Sequence, residues 1–371
     1  MIIGVPKEIK SDENRVSLIP FGAKRLSDLG CDVLIENNAG LASGYSNQDY
    51  IDAGAKIINN ASDVFSESDM IIKVKEPQSI EFDYIKEDQI IFTYFHFAAD
   101  KELTDKFVVS KAIALSYETV QEENGNLPLL VPMSEVAGRM AIQNGAKALE
   151  SNMGGKGLLL SGVPGVEPAT VTILGGGIVG TNSAKLAAGL GAKVNILDVS
   201  ADRLRYLDDI MPSNVVTLYS HEHNIKEVLV NTDLLIGSVL IPGAKAPKLV
   251  TKNMLSILKK GSVIVDVAVD QGGCVETSKP TTHRNPTFEV DDIIHYCVAI
   301  MPGAVPFTST TALCNVTYPY IENIAKLGLK KAIKNKTLSN GLNIYKGQIT
   351  HKAVAKAFNY NYTSINTISF N

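Results

Sequence analysis

Hydrophobic and polar positions follow two rhythms along the chain, and the switches between them mark out elements. Short β-branched runs, "IIGVPK", "DVLIEN", "MIIKVK", "QIIFTYF" and "AIALSYE", are separated by stretches of helical spacing such as "PFGAKRLSDLG". That alternation predicts parallel α/β units almost from the first residue. A helix is predicted to open at Ser134 in "SEVAGRMAIQNGAKALE", with Ser134 as its cap and Glu135 in its first turn. The glycine-rich "SNMGGKGLLLSGVPGVEP" then reads as a flap or connector. Beyond it a second series runs "ATVTIL", "AKVNILD", "VVTLYS", "LLIGSVL", "GSVIVDVA" and "IIHYCVA". Six strands with helical segments between them are the count of a full doubly wound dinucleotide fold.

After "MPGAVPFTST" an apolar-periodic segment, residues 309–328, leads into a C-terminal stretch in which no further strand series is expected. The first block has too few helices to cover its sheet, so the C-terminal part is expected to return and pack on it. The predicted organisation is a discontinuous domain, residues 1–130 plus 308–371, with residues 131–307 inserted as the nucleotide-binding domain. The closing "NYNYTSINTISFN" is polar and without periodicity, and is expected to be frayed or loosely docked.

Composition narrows the partners. At 371 residues the chain exceeds the size at which a single core keeps growing, in keeping with two domains. A formal charge of −4 with no long basic run gives no footprint for nucleic acid. The four cysteines, at 31, 274, 297 and 314, show no C-x-x-C pair and no metal-ligand spacing, so reduced, buried thiols and no metal are expected. No apolar run approaches about 18 residues, which argues against a membrane span. The expected location is the cytoplasm.

The motif with the clearest chemistry is "ILGGGIVG", a G-x-G-x-x-G through Gly175, Gly177 and Gly180. It follows a predicted strand, opens a helix, and precedes the strand "KVNILD" that ends in Asp198. In that setting the glycines let a pyrophosphate approach the backbone at a helix N-terminus, and the acid accepts hydrogen bonds from a ribose diol. A carboxylate at Asp198 pairs with a free 2′-hydroxyl and repels a 2′-phosphate, favouring NAD over NADP. Arg203 and Arg205 read either as cations for a 2′-phosphate or adenine, or as a solvated helix face. "VDVAVDQGG" ends a hydrophobic run with Asp270 and a glycine pair, where open α/β sheets place their ligands; Asp266, inside the run, reads as a structural hydrogen-bonding residue. Arg15 and Lys75 are candidates for holding a carboxylate, Arg15 by a bidentate fork and Lys75 as a point charge, or are surface charges. His96, alone in the aromatic run "TYFHFAAD", reads locally as a packed residue or as a proton carrier, with Phe95 and Phe97 immobilising its ring.

The blocks "GVPKEIKSDENRVSLIP", "IIKVKEPQ", "FTYFHFAAD", "LLVPMSEVAGRMA", "GVPGVEPATVTILGGGIVG", "VLIPGAKAPKLV", "VDVAVDQGGC" and "MPGAVPFTST" closely resemble those of the alanine dehydrogenases, in order from residue 4 to about 320. The resemblance implies two Rossmann-like, doubly wound parallel-sheet α/β domains with an active-site cleft between them. The implied activity is reversible, NAD-dependent oxidative deamination of L-alanine to pyruvate and ammonium by a homohexamer. Carried over position by position, Arg15 and Lys75 correspond to the carboxylate-binding pair, and His96 and Asp270 to the proton-transfer residues. The dinucleotide contacts fall on Ser134, Gly175, Gly177, Ile178, Val179, Gly180, Asp198, Arg203, Ser220, Val239 and Leu240. Val267, Asp270 and Val298, Ala299, Ile300 and Met301 fall near the nicotinamide. Lys279 stands where the family commonly has arginine, Ile300 where it commonly has asparagine, and Phe307 where a basic residue is common.

Two further readings share the same plan. A sister dehydrogenase for another amino acid, of the lysine or saccharopine type, would share the two domains, but the segments around Arg15, Lys75 and His96 are of the alanine type. A non-catalytic NAD-binding module of transhydrogenase type would not need the histidine of "FTYFHFAAD".

Overall fold

The computed structural model of the chain describes residues 1–239 and 246–370. The chain divides into two compact units, Met1–Met133 with Gly303–Asn371, and Ser134–Pro302. In the first unit the strands β1 (Ile2–Val5), β2 (Asp32–Glu36), β3 (Lys56–Ile58), β4 (Met70–Ile72), β5 (Ile90–Thr93) and β6 (Ile113–Ser116) form a parallel array in the order β3-β2-β1-β4-β5-β6. The second unit contributes β7 (Thr170–Leu174), β8 (Lys193–Asp198), β9 (Val215–Tyr219), β10 (Leu234–Gly237), β11 (Val263–Asp266), β12 (Thr287–Val290) and β13 (Ile293–Tyr296). Its sheet runs β12-β13-β11-β10-β7-β8-β9, all parallel except β12. Both sheets thus carry the doubly wound order, reversing direction between β1 and β4 in one unit and between β7 and β10 in the other. The six strands of the second series stand where the hydrophobic runs place them. The interiors of these strands are almost wholly apolar because helices cover both faces of a parallel sheet.

Four expectations are corrected. The C-terminal part contains strands: β14 (Leu342–Tyr345) and β15 (Gln348–Ile349) form a hairpin that adds antiparallel to β6. Its two-residue turn, Lys346 and Gly347, has φ of 49° and 83°, the two positive values of the turn that matches strand twist. The helix expected from Ser134 begins at Val131, with Pro132 in its first turn where a missing N–H costs nothing, and Ser134 lies inside it rather than capping it. The final residues are docked rather than frayed: Thr363 N–H donates to the Ile349 carbonyl at 2.8 Å, and the Phe370 ring lies 4.9 Å from that of Tyr345. The short strands β3 and β12 come from "KII" and "TFEV", too brief to stand out as hydrophobic runs.

The long helix Pro306–Leu327 and the hairpin return the chain to the first unit, whose core beside β5 gathers Phe95, Phe97 and Phe107 with Ile344, Ile349 and Val354. Three of the cysteines are buried and none is bridged among the described residues. Burial pushes the Cys274 and Cys314 thiols up to about 12 and Cys297 to about 11, which leaves them protonated and inert.

Candidate active site

In an open α/β sheet, ligands bind beyond the carboxyl ends of the strands, at the point where strand order reverses. In the first unit the residues following β1, β4 and β5 at that edge include Arg15, Lys75 and His96. Lys75 lies three residues past the end of β4 rather than at the strand end. Between them Lys73 is fully buried, its ammonium 2.8 Å from Glu81 Oε1 and 3.2 Å from Glu8 Oε2. Glu8 Oε1 in turn accepts the Val74 N–H at 2.6 Å, so the backbone leading to Lys75 is pinned from the loop after β1. Burial lowers the pKa of Lys75, and the nearby Arg15 charge lowers it further. A carboxylate beside it would favour the charged ammonium and so oppose both effects.

Arg15 is no surface charge: it is 4% exposed. Its fork is turned to Glu13, with Nε donating to Oε1 at 2.6 Å and Nη2 to Oε2 at 2.5 Å. Burial works against the guanidinium charge, and the Glu13 carboxylate more than offsets it. The expected bidentate fork is therefore spent on Glu13, and with one Nη1 proton directed at Met133, one proton on each of Nη1 and Nη2 is left for an incoming anion. Nη1 lies 2.9 Å from Met133 Sδ. Tyr94, whose hydroxyl donates to the Leu129 carbonyl, is buried beside this group, and burial holds its phenol well above the usual range.

His96 is exposed, with its ring stacked on Tyr94 at 6.1 Å between centroids and 8° between planes. Phe95 and Phe97 do not immobilise it. They stack on each other at 4.4 Å and pack edge-on against Phe107 in the core. The backbone explains the division: His96 is left-handed between β5 and the 3-10 turn Phe97–Ala99, so its aromatic neighbours are buried and anchor the segment while the histidine is exposed. Glu13, Tyr94, Met133 and Glu118 are the neighbours that the sequence did not single out. A signal existed for two of them, since Glu13 and Tyr94 each stand two residues from the group they serve.

In the second unit the loop after β7 fits a dinucleotide, judged by what side chains would meet there. Gly175 has φ of 102°, so the turn itself requires glycine. A Cβ on Gly180 would stand 1.9 Å from the Gly175 carbonyl oxygen, whereas one on Gly177 would meet nothing within 4 Å. The open side at Gly177 is the space a pyrophosphate needs against the N-terminus of the helix Ile178–Gly189, which carries Ile178 and Val179 in its first turn. Asp198, at the end of β8, accepts the Gly176 N–H at 2.7 Å on Oδ2 and the Ser200 N–H at 2.9 Å on Oδ1. Each oxygen keeps a lone pair for a diol.

Arg203 is not on a solvated face: its Nε donates to the Gly176 carbonyl at 2.6 Å, its Nη2 to Thr181 Oγ1 at 2.7 Å, and its guanidinium lies 4.8 Å from the Tyr206 ring centroid. Arg205 does occupy such a face, paired with Asp202. Ser220 follows β9, and its N–H donates to the Asp198 carbonyl. Val239 follows β10; Leu240 lies outside the described residues.

β11 ends at Asp266, not at Asp270. Asp266 is buried and accepts the N–H groups of Ala268 and Val275, the structural role expected of it. Val267 begins the 3-10 turn Val267–Gln271, and Asp270 stands exposed within it. Val298 and Met301 are buried beyond β13, and Ala299 and Ile300 are half-buried. The Ile300 carbonyl accepts from His283 Nε2 at 2.8 Å, leaving an aliphatic side chain where an amide is common. Lys279 is exposed, its ammonium 4.6 Å from the Phe288 ring centroid. Phe307 is 61% exposed and stacks on Tyr45 at 6.0 Å in the first unit. Arg15, Lys75 and His96 thus belong to one unit, and Asp270 with the dinucleotide loop to the other. Among the described residues no cluster of potential metal ligands occurs and no helix is long and apolar enough to cross a membrane.

Comparison with known proteins identifies the family and the fold. The family models for the N-terminal and C-terminal domains of alanine dehydrogenase/PNT match residues 4–137 and 141–352. The chain is 55% identical to an alanine dehydrogenase of Methanococcus maripaludis, over 98% of each chain. It is 54% identical to one of Bacillus subtilis, over 98% of this chain and 96% of the relative. A solved L-alanine dehydrogenase superposes with a TM-score of 0.94 at 49% identity, covering 97% of this chain and 99% of that one. A transhydrogenase from Sinorhizobium meliloti, at 23% identity and a TM-score of 0.81, shares the fold. The chain belongs to the alanine dehydrogenase/PNT family.

Proposed function

We propose that this chain catalyses the reversible oxidative deamination of L-alanine to pyruvate and ammonium with NAD, in the cytoplasm and as a homohexamer whose mass light scattering would report. The first unit is the substrate domain and the second the NAD-binding domain. The observation that carries this reading is the gathering, after β1, β4 and β5, of a buried arginine, a lysine of lowered pKa and an exposed histidine. Two cations and a proton carrier are what a 2-amino acid demands.

Bound NAD supplies the hydride acceptor at nicotinamide C4. Arg15 and Lys75 bind the substrate carboxylate and so orient Cα, the positioning part of catalysis. Hydride loss from Cα leaves an imine that must add water and expel ammonia, and each of those steps moves a proton. His96 donates to and accepts from the developing substrate oxygen as general acid and base. Asp270 orients or deprotonates the attacking water, or the ammonia species in the reverse direction. On the cofactor side, Gly175, Gly177 and Gly180 leave room for the pyrophosphate, with Ser134, Ile178 and Val179 beside it. Asp198 accepts from the ribose diol; Ser220 and Val239 line the same edge, and the resemblance adds Leu240 as a cofactor contact. Arg203 spends its Nε proton and one Nη2 proton on the Gly176 carbonyl and Thr181, and the Asp198 carboxylate, which repels a 2′-phosphate, is what supports NAD over NADP. Val267, Lys279 and the segment Val298, Ala299, Ile300 and Met301 complete the nicotinamide side.

The test is steady-state NADH formation across a panel of amino acids. L-Alanine is expected to exceed lysine, saccharopine, glutamate and leucine by at least about tenfold in kcat/KM, as a pocket sized for one methyl discriminates by about 1–3 kcal/mol per group. Preference for one of the larger amino acids would replace the substrate assignment.

A further inference from the structure

A constrained feature of the first unit outside the groups already assigned is the backbone of His96 rather than its ring. His96 has φ of 55° and ψ of 37°, in the left-handed region that a non-glycine residue occupies only when its surroundings hold it there. Its carbonyl accepts the Ala99 N–H at 2.9 Å, its ring stacks on Tyr94, and one side chain holds its amide. Glu118, in the 3-10 turn Tyr117–Thr119 directly after β6, accepts the His96 N–H on Oε1 at 2.6 Å and the Phe95 N–H on Oε2 at 3.2 Å. Strand register explains the reach: β5 and β6 are parallel neighbours with Thr93 opposite Ser116, so the carboxylate two residues past Ser116 meets the amides two and three residues past Thr93. Hydrogen bonds from N–H groups to a carboxylate are short and about twice as strong as neutral ones. Glu118 is half-buried, and the titratable groups it influences are Tyr94, on which the His96 ring stacks, and His351, whose Nδ1 has no hydrogen-bond partner among the described residues.

We infer that Glu118 is a positioning residue for proton transfer, its carboxylate clamping two consecutive amides so that the His96 ring is presented at a fixed angle against Tyr94. The inference rests on the reading of His96 as the proton carrier. Glutamine at position 118 keeps the shape and one acceptor oxygen but turns an –NH2 toward the second amide, so one of the two bonds is lost along with the charge. Displacing a reacting group by about 1 Å costs on the order of 10²-fold in rate.

The experiment is pyruvate- and ammonium-dependent NADH oxidation by wild type, Glu118→Gln, His96→Ala and the double variant, with single-turnover measurement for the slow ones. Glu118→Gln is expected to lower kcat about 10- to 100-fold while KM for pyruvate and Kd for NADH change less than about threefold. In the His96→Ala background the same substitution is expected to have no further effect, because the ring it positions is gone. Wild-type kcat in Glu118→Gln, or an equal loss with and without the histidine, overturns the inference. If His96→Ala itself keeps most of its turnover, the proton-carrier reading fails and the inference falls with it, an outcome told apart from the others by the single variant alone. If Glu118→Gln does not fold, Glu118→Asp takes its place in the same cycle, and the same results support or overturn the inference.

Discussion

At Asp198 and Arg203 two side chains divide the work around a glycine loop. Asp198 takes the Gly176 N–H and Arg203 the Gly176 carbonyl, so the two peptide units flanking one glycine are held by residues that follow it in sequence by 22 and 27 positions. Both were recognisable as charged residues near a ribose; that Arg203 turns back onto the loop was not, because nothing in its neighbours separates it from Arg205. Discrimination between cofactors is assigned to the carboxylate, which repels a 2′-phosphate. Asp198→Ala is expected to lower kcat/KM for NAD by about 10- to 100-fold, as losing charge-assisted hydrogen bonds of about 1.5–3 kcal/mol implies, and to lower that for NADP much less. The ratio of the two kcat/KM values is the check, and an unchanged ratio would remove the ribose role. Arg15 shows a similar gap between type and placement: a guanidinium suited to a carboxylate was legible, its prior engagement by Glu13 was not.

At the scale of elements, the loops after β1 and β4 are joined by a buried ionic cluster. Lys73 sits between Glu8 and Glu81, one cation against two carboxylates, all nearly inaccessible. Burial raises the Glu8 pKa to about 7 against the attraction of Lys73, and Glu13 and Glu81 add to the rise. The folded chain therefore keeps the Glu8 proton from about pH 4.5 to 7, where the unfolded chain releases it. Stability from that proton is complete below pH 4.5 and is lost as pH rises through 7. Glu8→Gln cannot ionise, so its stability relative to wild type is expected to rise between pH 5 and pH 8, by on the order of 2–3 kcal/mol if the full effect is realised. Urea unfolding of both proteins at the two pH values measures it, and a constant difference would contradict the cluster's account. The helices and long strands here announce themselves by periodicity. The elements that periodicity misses are short ones made by tertiary pairing: β3, β12, and the β14–β15 hairpin whose Lys346-Gly347 turn is its only local mark.

Across the whole molecule, the same strand order appears twice, and every candidate residue that the structure describes in a loop follows the carboxyl end of a strand. Hydrophobic runs make the two sheets readable, since a parallel strand covered on both faces must be apolar throughout. The second unit's site was readable too, because a glycine loop has a local signature. The first unit's site was not readable from local pattern: Arg15, Lys75 and His96 are 60 and 21 residues apart along the chain, and only the reversal of strand order between β1 and β4 brings their loops to one edge. Their roles came from resemblance, and the fold supplies the physical reason for it. His96 lies on one unit and Asp270 on the other. The most direct measurement is pyruvate-plus-ammonium-dependent oxidation of NADH by wild type, His96→Ala and Asp270→Asn, alongside NADH binding by each. Loss of turnover by about 10²- to 10⁴-fold in each variant, with NADH still bound, is the predicted result. Turnover near that of wild type in either variant, with NADH bound as tightly, would contradict the account.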